Sequence, residues 1–344
     1  MKIKEFQEYL KKENIDFAMF INFSERVDPN FTYFTELKEV NGALIIPKDK
    51  EPFMIVSPLE LAIAKNESPI KKITEVKKGF FSDIKAKIKG KKIGLNFGHV
   101  SLSIMENIKK NLNAKFVDVS SKLYQLRLIK TTEEISRLKE AAKIADNIIQ
   151  KAIVKANKNI TEIQLRDFIE DEMRKFNVKP SFPTIVSSGK NAASQHNVPM
   201  NVKLKGFVVI DMGVIYKNYC SDITRTFYIG KPSEKEIEDY ENVKTIQEDC
   251  INKFNSDSNE LHNRAAKFLG KDFVHSLGHG IGIEVHELPW INGKSNLVLM
   301  RNMAFTIEPG IYRKNYGIRI EDDLILTNKL EVITKTTKKL IIKR

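Results

Sequence analysis

The chain has 344 residues, 42% of them hydrophobic, and a formal charge of +13. That length exceeds one ordinary compact core and suits two domains, with enough apolar residues to fill both, which excludes a disordered or fibrous chain. No apolar run approaches the ~18 residues of a membrane span, and the charge is scattered lysine, as in "KGKK" (89–92) and "TKKLIIKR" (337–344), with no recognition-helix, zinc-finger or RNA-binding motif beside it. A solvated lysine-rich surface follows, and neither a membrane nor a specific nucleic acid is expected as a partner.

In chain order, "MKIKEFQEYLKKENIDF" reads as an amphipathic helix without a cleavable hydrophobic region, so a cytoplasmic location is expected. Cys220 and Cys250 are then reduced thiols. Strands are predicted at 16–23, 42–47, 52–57, 92–97 and 114–120, with helical patterns around 59–65 and 102–112, which together make an α/β domain. Two long helices follow. Thr131 and Glu134 have capping-box spacing ahead of Ile135, Leu138, Ala142, Ala145, Ile148 and Ile149, and Thr161 and Gln164 repeat it ahead of Leu165, Phe168 and Ile169. The boundary falls near 121–131, giving domains 1–124 and 125–344. Beyond it, helices followed by strand pairs predict an α+β domain with a curved antiparallel sheet.

"HSLGHGIGIEVHELP" (275–289) carries three of the six histidines. On a helix, His275 and His279 would share a face, as in the helical zinc-protease motif. Gly278, Gly280 and Gly282 argue instead for extended chain where the backbone approaches something closely. One histidine makes no metal site, so its partners are sought elsewhere.

"GFVVIDMGVIYKNYCSDITRTFYIG" (206–230) is two apolar runs joined by a turn at Lys217 and Asn218, each run holding one aspartate. Pairing about a centre between Tyr216 and Lys217 sets Asp211 directly opposite Asp222 on one face, unless a bulge at the turn shifts the register. In "FTIEPGIYRKNYGIRIEDDLIL" (305–326), pairing about Lys314 and Asn315 sets Glu308 opposite Glu321 in the same way. Opposed like charges on buried strands are costly and make sense with cations between them. Four carboxylates and one imidazole can hold two divalent ions through bridging oxygens. The hardness of the set favours Mn²⁺-like ions, with Co²⁺ or Zn²⁺ as alternatives.

The order Asp211, Asp222, His279, Glu308, Glu321, in the contexts "DMG", "SDITRT", "GHGIG", "TIEPG" and "RIED", resembles the ligand set of the pita-bread metallopeptidases, most closely the proline-specific branch of prolidases (Xaa-Pro dipeptidases) and Xaa-Pro aminopeptidases. The first 120 residues resemble the creatinase-type N-terminal domain of that branch through "DPNFTYFTEL" and the strands after it. Methionine aminopeptidases share the ligands but characteristically lack such a domain and do not read "GIRIED".

The resemblance implies hydrolysis of an Xaa-Pro bond, in dipeptides or at the N-terminus of longer peptides, by a hydroxide bridging two metals. It implies that Glu308 is both ligand and proton shuttle, that His286 stabilises the carbonyl oxygen, that His196 lies near the scissile amide and that His275 lines the site. Arg319 and Thr224 would orient carboxylate ligands, and the assembly would be a homodimer. In many prolidases an arginine after the proline of the HExP segment helps hold the dipeptide's carboxylate. Here that position is Trp290, so the preference for dipeptides or longer peptides stays open. His99 and His262 match no motif. Some pita-bread proteins have lost their ligands and act as non-catalytic protein- or nucleic-acid-binding modules, and creatinase works without metal; all five ligands are present here, which favours an enzyme.

Overall fold

The computed structural model describes residues 2–23 and 26–344. The chain divides into two compact units, Met1–Arg127 and Leu128–Arg344.

The first unit is built on a six-stranded mixed sheet, in the order Lys72–Glu75, Phe53–Val56, Gly42–Pro47, Phe17–Asn22, Lys92–Leu95, Lys115–Asp118. Successive side chains of a strand point to opposite faces, and the burial follows. Phe20, Leu44 and Met54 join Phe6 and Leu10 in one core, while Met19, Ile45 and Ile55 join Ile84 and Ile108 in another. Helices therefore cover both faces, as an α/β domain requires. The predicted strands and helices all form, and the sheet gains Lys72–Glu75, whose only buried residue is Ile73 and which has too little pattern to be read from sequence.

The second unit is α+β. The helices Thr132–Lys155 and Glu162–Lys175 begin at complete capping boxes, Thr131 with Glu134 and Thr161 with Gln164. Ile144, Ile148, Ile149 and Ala152 of the first helix pack with Val208, Ile210 and Met212 of the sheet. That sheet has four strands, in the order Ile342–Lys343, Ile223–Ile229, Gly206–Met212, Ile185–Ser188. A second sheet has five, in the order Glu287–Ile291, Gly278–Gly280, Ala304–Ile307, Asp322–Leu326, Leu330–Val332. All pairings within these sheets are antiparallel except that of the C-terminal strand. Among the described residues no helix is long and apolar enough to cross a membrane, and Cys220 and Cys250 are buried and not joined in a disulfide.

The Gly278–Gly280 strand is extended, as its glycines suggest, and its neighbours leave no room for side chains. A Cβ on Gly278 would lie 2.0 Å from the Thr306 carbonyl oxygen, and one on Gly280 2.1 Å from that of Leu288. Both obstacles are backbone and cannot rotate away. Gly278→Ala is therefore expected to cost at least about 3 kcal/mol of stability, or to prevent folding, whereas Leu102→Ala on an exposed helix face should stay within about 0.5 kcal/mol; chemical unfolding of both variants makes the comparison.

Candidate metal centre

The Lys217–Asn218 hairpin closes with both turn residues in the left-handed region, φ 45° and 68°. This two-residue turn pairs Tyr216 with Tyr219 and continues to pair Asp211 with Thr224. The expected register, Asp211 opposite Asp222, is thus corrected: the centre lies between Lys217 and Asn218, one residue later than the sequence reading put it. A change of two in the pairing preserves which face each residue occupies, so the two aspartates still converge. The Asp222 amide donates to Asp323 Oδ2 at 2.9 Å instead of to the facing strand.

The second hairpin keeps the expected register. Ile307 pairs with Asp322, and Gly310 with Arg319, which puts Glu308 across from Glu321 between the two ladders. There the strands part. The Glu308 amide donates to the Leu277 carbonyl at 2.8 Å and the Glu321 amide to that of Thr224 at 3.1 Å. The Thr226 hydroxyl donates to the Arg319 carbonyl at 2.8 Å, so the two hairpins are sewn edge to edge and their acids face one another.

Ligand atoms of Asp211, Asp222 and Glu321 lie within 4.8 Å of one another, as do those of His279, Glu308 and Glu321, and those of Asp222, His279 and His286. The structure thereby gathers the five predicted ligands and brings His286 alongside. His279 Nδ1 lies 3.2 Å from the Gly280 carbonyl, which assigns that nitrogen as the N–H. Nε2 is left facing Glu308 Oε1 at 3.2 Å and Asp222 Oδ2 at 3.7 Å, three acceptors with no proton between them unless the ring becomes charged. Burial alone would lower the His279 pKa, but the carboxylate of Glu308 raises it. Burial likewise favours a neutral Glu308, and His279, His275 and Arg319 outweigh it, holding the carboxyl down at about 2.

Asp222 and Glu321 go the other way. Burial first, then the surrounding carboxylates, push both well above the ordinary range. Asp211 Oδ1 and Asp222 Oδ1 are buried without a hydrogen-bond partner. Orphaned oxygens, a bare imidazole nitrogen and repelling acids in one place are the chemistry of a divalent-cation site, and the donor set fits hard divalent ions.

Arg319 and Thr224 bind the carboxylates from behind. Arg319 Nη2 donates to Asp211 Oδ2 at 2.5 Å and Nε to Thr224 Oγ1 at 3.1 Å, and that hydroxyl donates to Glu321 Oε2 at 2.7 Å. Sequence reasoning missed Thr306, whose hydroxyl accepts the His279 amide and donates to Glu308 Oε1, both at 3.1 Å. It also missed Tyr312, which accepts from Arg319 Nη1 at 2.6 Å. Alternation was the available signal: Thr306, Glu308 and Tyr312 are same-face positions of one hairpin arm.

The acids sit in a cleft of about 580 Å³ lined by Phe182, Pro183, Ile185, Val198 and Pro199. His196 is exposed within its lining. His275 is held by the Ser276 carbonyl at Nδ1, 2.7 Å, and by the Tyr312 hydroxyl at Nε2, 3.3 Å. The His286 ring is 4.3 Å from that of His279 and 6.4 Å from the indole of Trp290. Burial lowers the pKa of both His275 and His286, so both rings are neutral at pH 7. His262 packs on Phe273 and is not among the cleft residues; His99 belongs to the first unit and lies 2.6 Å from the Val27 carbonyl.

Residues 136–328 match the family described as metallopeptidase family M24, and residues 2–129 match the creatinase/prolidase N-terminal domain. Over 326 residues the chain is 36% identical to an Xaa-Pro dipeptidase of Pyrococcus furiosus, covering 91% of this chain and 92% of that one. Among solved structures, an Xaa-Pro dipeptidase from Bacillus anthracis superposes with a TM-score of 0.92 at 33% identity, covering 99% of each chain. An X-Pro aminopeptidase from Thermotoga maritima gives 0.90 at 31%, covering 96% of this chain and 98% of that one.

Asp222→Asn removes one repelling charge. In chelator the variant should melt at or above the parent temperature, whereas added Mn²⁺ should raise the parent's melting temperature and leave the variant's nearly unchanged. Scanning fluorimetry with and without metal reads both.

Proposed function

This chain belongs to metallopeptidase family M24, and from that premise we propose that it hydrolyses the bond between an N-terminal residue and a following proline. The observation that carries the proposal is the convergence of four carboxylates and His279 in a cleft also walled by Phe182, Pro183, Ile185, Val198 and Pro199, an apolar lining suited to a pyrrolidine ring. The relatives named as Xaa-Pro dipeptidases support the substrate class. In this reading Asp211, Asp222, His279, Glu308 and Glu321 hold two divalent ions, Mn²⁺ foremost. Bound there, such ions supply a water of lowered pKa and an electrophile for the carbonyl.

The rest of the chemistry falls to side chains. Glu308, ionised when it holds a cation, takes a proton from the attacking water and delivers it to the leaving nitrogen. His286, neutral at pH 7, donates its N–H to the carbonyl oxygen as negative charge develops. His196 contacts the scissile amide, and His275, fixed by Tyr312 and Ser276, lines the site. Arg319 and Thr224 keep Asp211 and Glu321 from turning away. The proposal extends, on resemblance, to a cytoplasmic homodimer with its domain division near residue 124.

Trp290 is 42% exposed beside His286 and stands where a carboxylate-binding arginine would favour dipeptides. Trp290→Arg is expected to raise kcat/KM for Ala-Pro relative to Ala-Pro-Ala, which competition between the two substrates measures directly. The histidines should separate by role. His286→Ala should keep its metal and KM and lose about two to three orders of magnitude in kcat on Ala-Pro, whereas His279→Ala should shed metal. Loss of metal from both variants, or parent turnover in His286→Ala, would contradict this division.

A further inference from the structure

The segment that carries His286 is tied from beneath by a buried ion pair that the reaction leaves unused. Lys130 Nζ donates to Glu287 Oε1 at 2.7 Å, and the two side chains are 1% and 3% exposed. Such a pair is a poor source of stability, because desolvating both charges offsets most of their attraction. What it fixes is position. On one side, the Lys130 amide donates to the Asn302 carbonyl at 2.8 Å, and the next residue, Thr131, is the N-cap of the 132–155 helix. The ammonium thus hangs from backbone that is itself anchored.

On the other side, Glu287 directly follows His286, begins the Glu287–Ile291 strand and faces Gly280 in the register. The loop before it closes around the carboxylate. A Cβ on Gly282 would lie 2.4 Å from Glu287 Oε1, and the Glu284 amide reaches Oε2 at 3.5 Å. The Gly282 carbonyl accepts from the Cys220 amide at 2.8 Å. The His286 ring, by contrast, makes no hydrogen bond among the described residues; the rings of His279 and Trp290 and the Asp222 carboxylate are its neighbours. Its location is inherited from the loop.

We infer that Lys130 and Glu287 are positioning residues: the buried pair sets the 281–287 loop so that the His286 ring meets the substrate carbonyl, and turnover depends on the pair through His286. This rests on the reading of His286 given above.

The test is a cycle in the metal-loaded full chain. Lys130→Met with Glu287→Gln removes both charges, so that neither is left buried alone, and the change is made in the parent and in His286→Ala. In the parent background kcat on Ala-Pro should fall ~10–100-fold with KM and metal content within about twofold, as for other supports of active-site ligands. In the His286→Ala background the same change should alter kcat by less than about twofold. Emission of Trp290, the only tryptophan of the chain, should shift as the ring beside it moves. Equal losses in both backgrounds, or no loss in the parent, overturn the positioning role. Parent turnover in His286→Ala overturns it together with the reading it rests on. Where the double variant does not fold, Lys130→Arg, which keeps the buried charge, gives the same cycle and should show the same dependence on His286.

Discussion

The repulsion among Asp211, Asp222, Glu308 and Glu321 is the constraint around which the catalytic unit is organised. Two hairpins each contribute two acids, and the hydrogen bonds between Thr224, Thr226, Arg319 and Glu321 hold the hairpins so close that the acids cannot spread. Among the described residues Arg319 is the one guanidinium bound to the cluster, so with all four acids ionised three negative charges are left over. Divalent cations relieve that repulsion, which is the physical reason the donor set fits them.

The polar groups beside the acids orient them without adding charge. Thr224 accepts from Arg319 Nε, so its one proton is free for Glu321. Tyr312 accepts from Arg319 Nη1, which turns its proton toward His275 Nε2. That nitrogen is an acceptor because Nδ1–H is spent on the Ser276 carbonyl. Each hydroxyl passes the direction of the guanidinium outward to a second group, and the pocket wall at His275 becomes fixed by the same arginine that holds Asp211.

What was legible in the sequence was local. The capping boxes at Thr131 and Thr161 depend on residues three apart, and both helices begin there. The Lys314–Asn315 hairpin has the register its apolar pattern implies. The Lys217–Asn218 hairpin does not, because the positive φ of both turn residues decides the pairing, and composition alone does not specify it. Thr306 and Tyr312 alternate with Glu308, but that alternation acquires meaning only once Glu308 is known to face a site. Lys130 and Glu287 are 157 residues apart, and no periodicity connects them.

The glycines of "GHGIG" show how a backbone requirement becomes a chemical one. Because Gly278 has no side chain, its strand lies against the Thr306 carbonyl. That approach brings the His279 amide within 3.1 Å of the Thr306 hydroxyl, which then has its proton for Glu308. One threonine thereby aligns the imidazole and the carboxylate that share the site, and it can do so only while the two strands touch. A helix with the same histidine spacing would present two imidazoles on one face but would leave no edge for Thr306 to bridge. The extended chain parts His275 from His279 and gains a fixed angle between His279 and Glu308, whose Nε2 and Oε1 lie 3.2 Å apart.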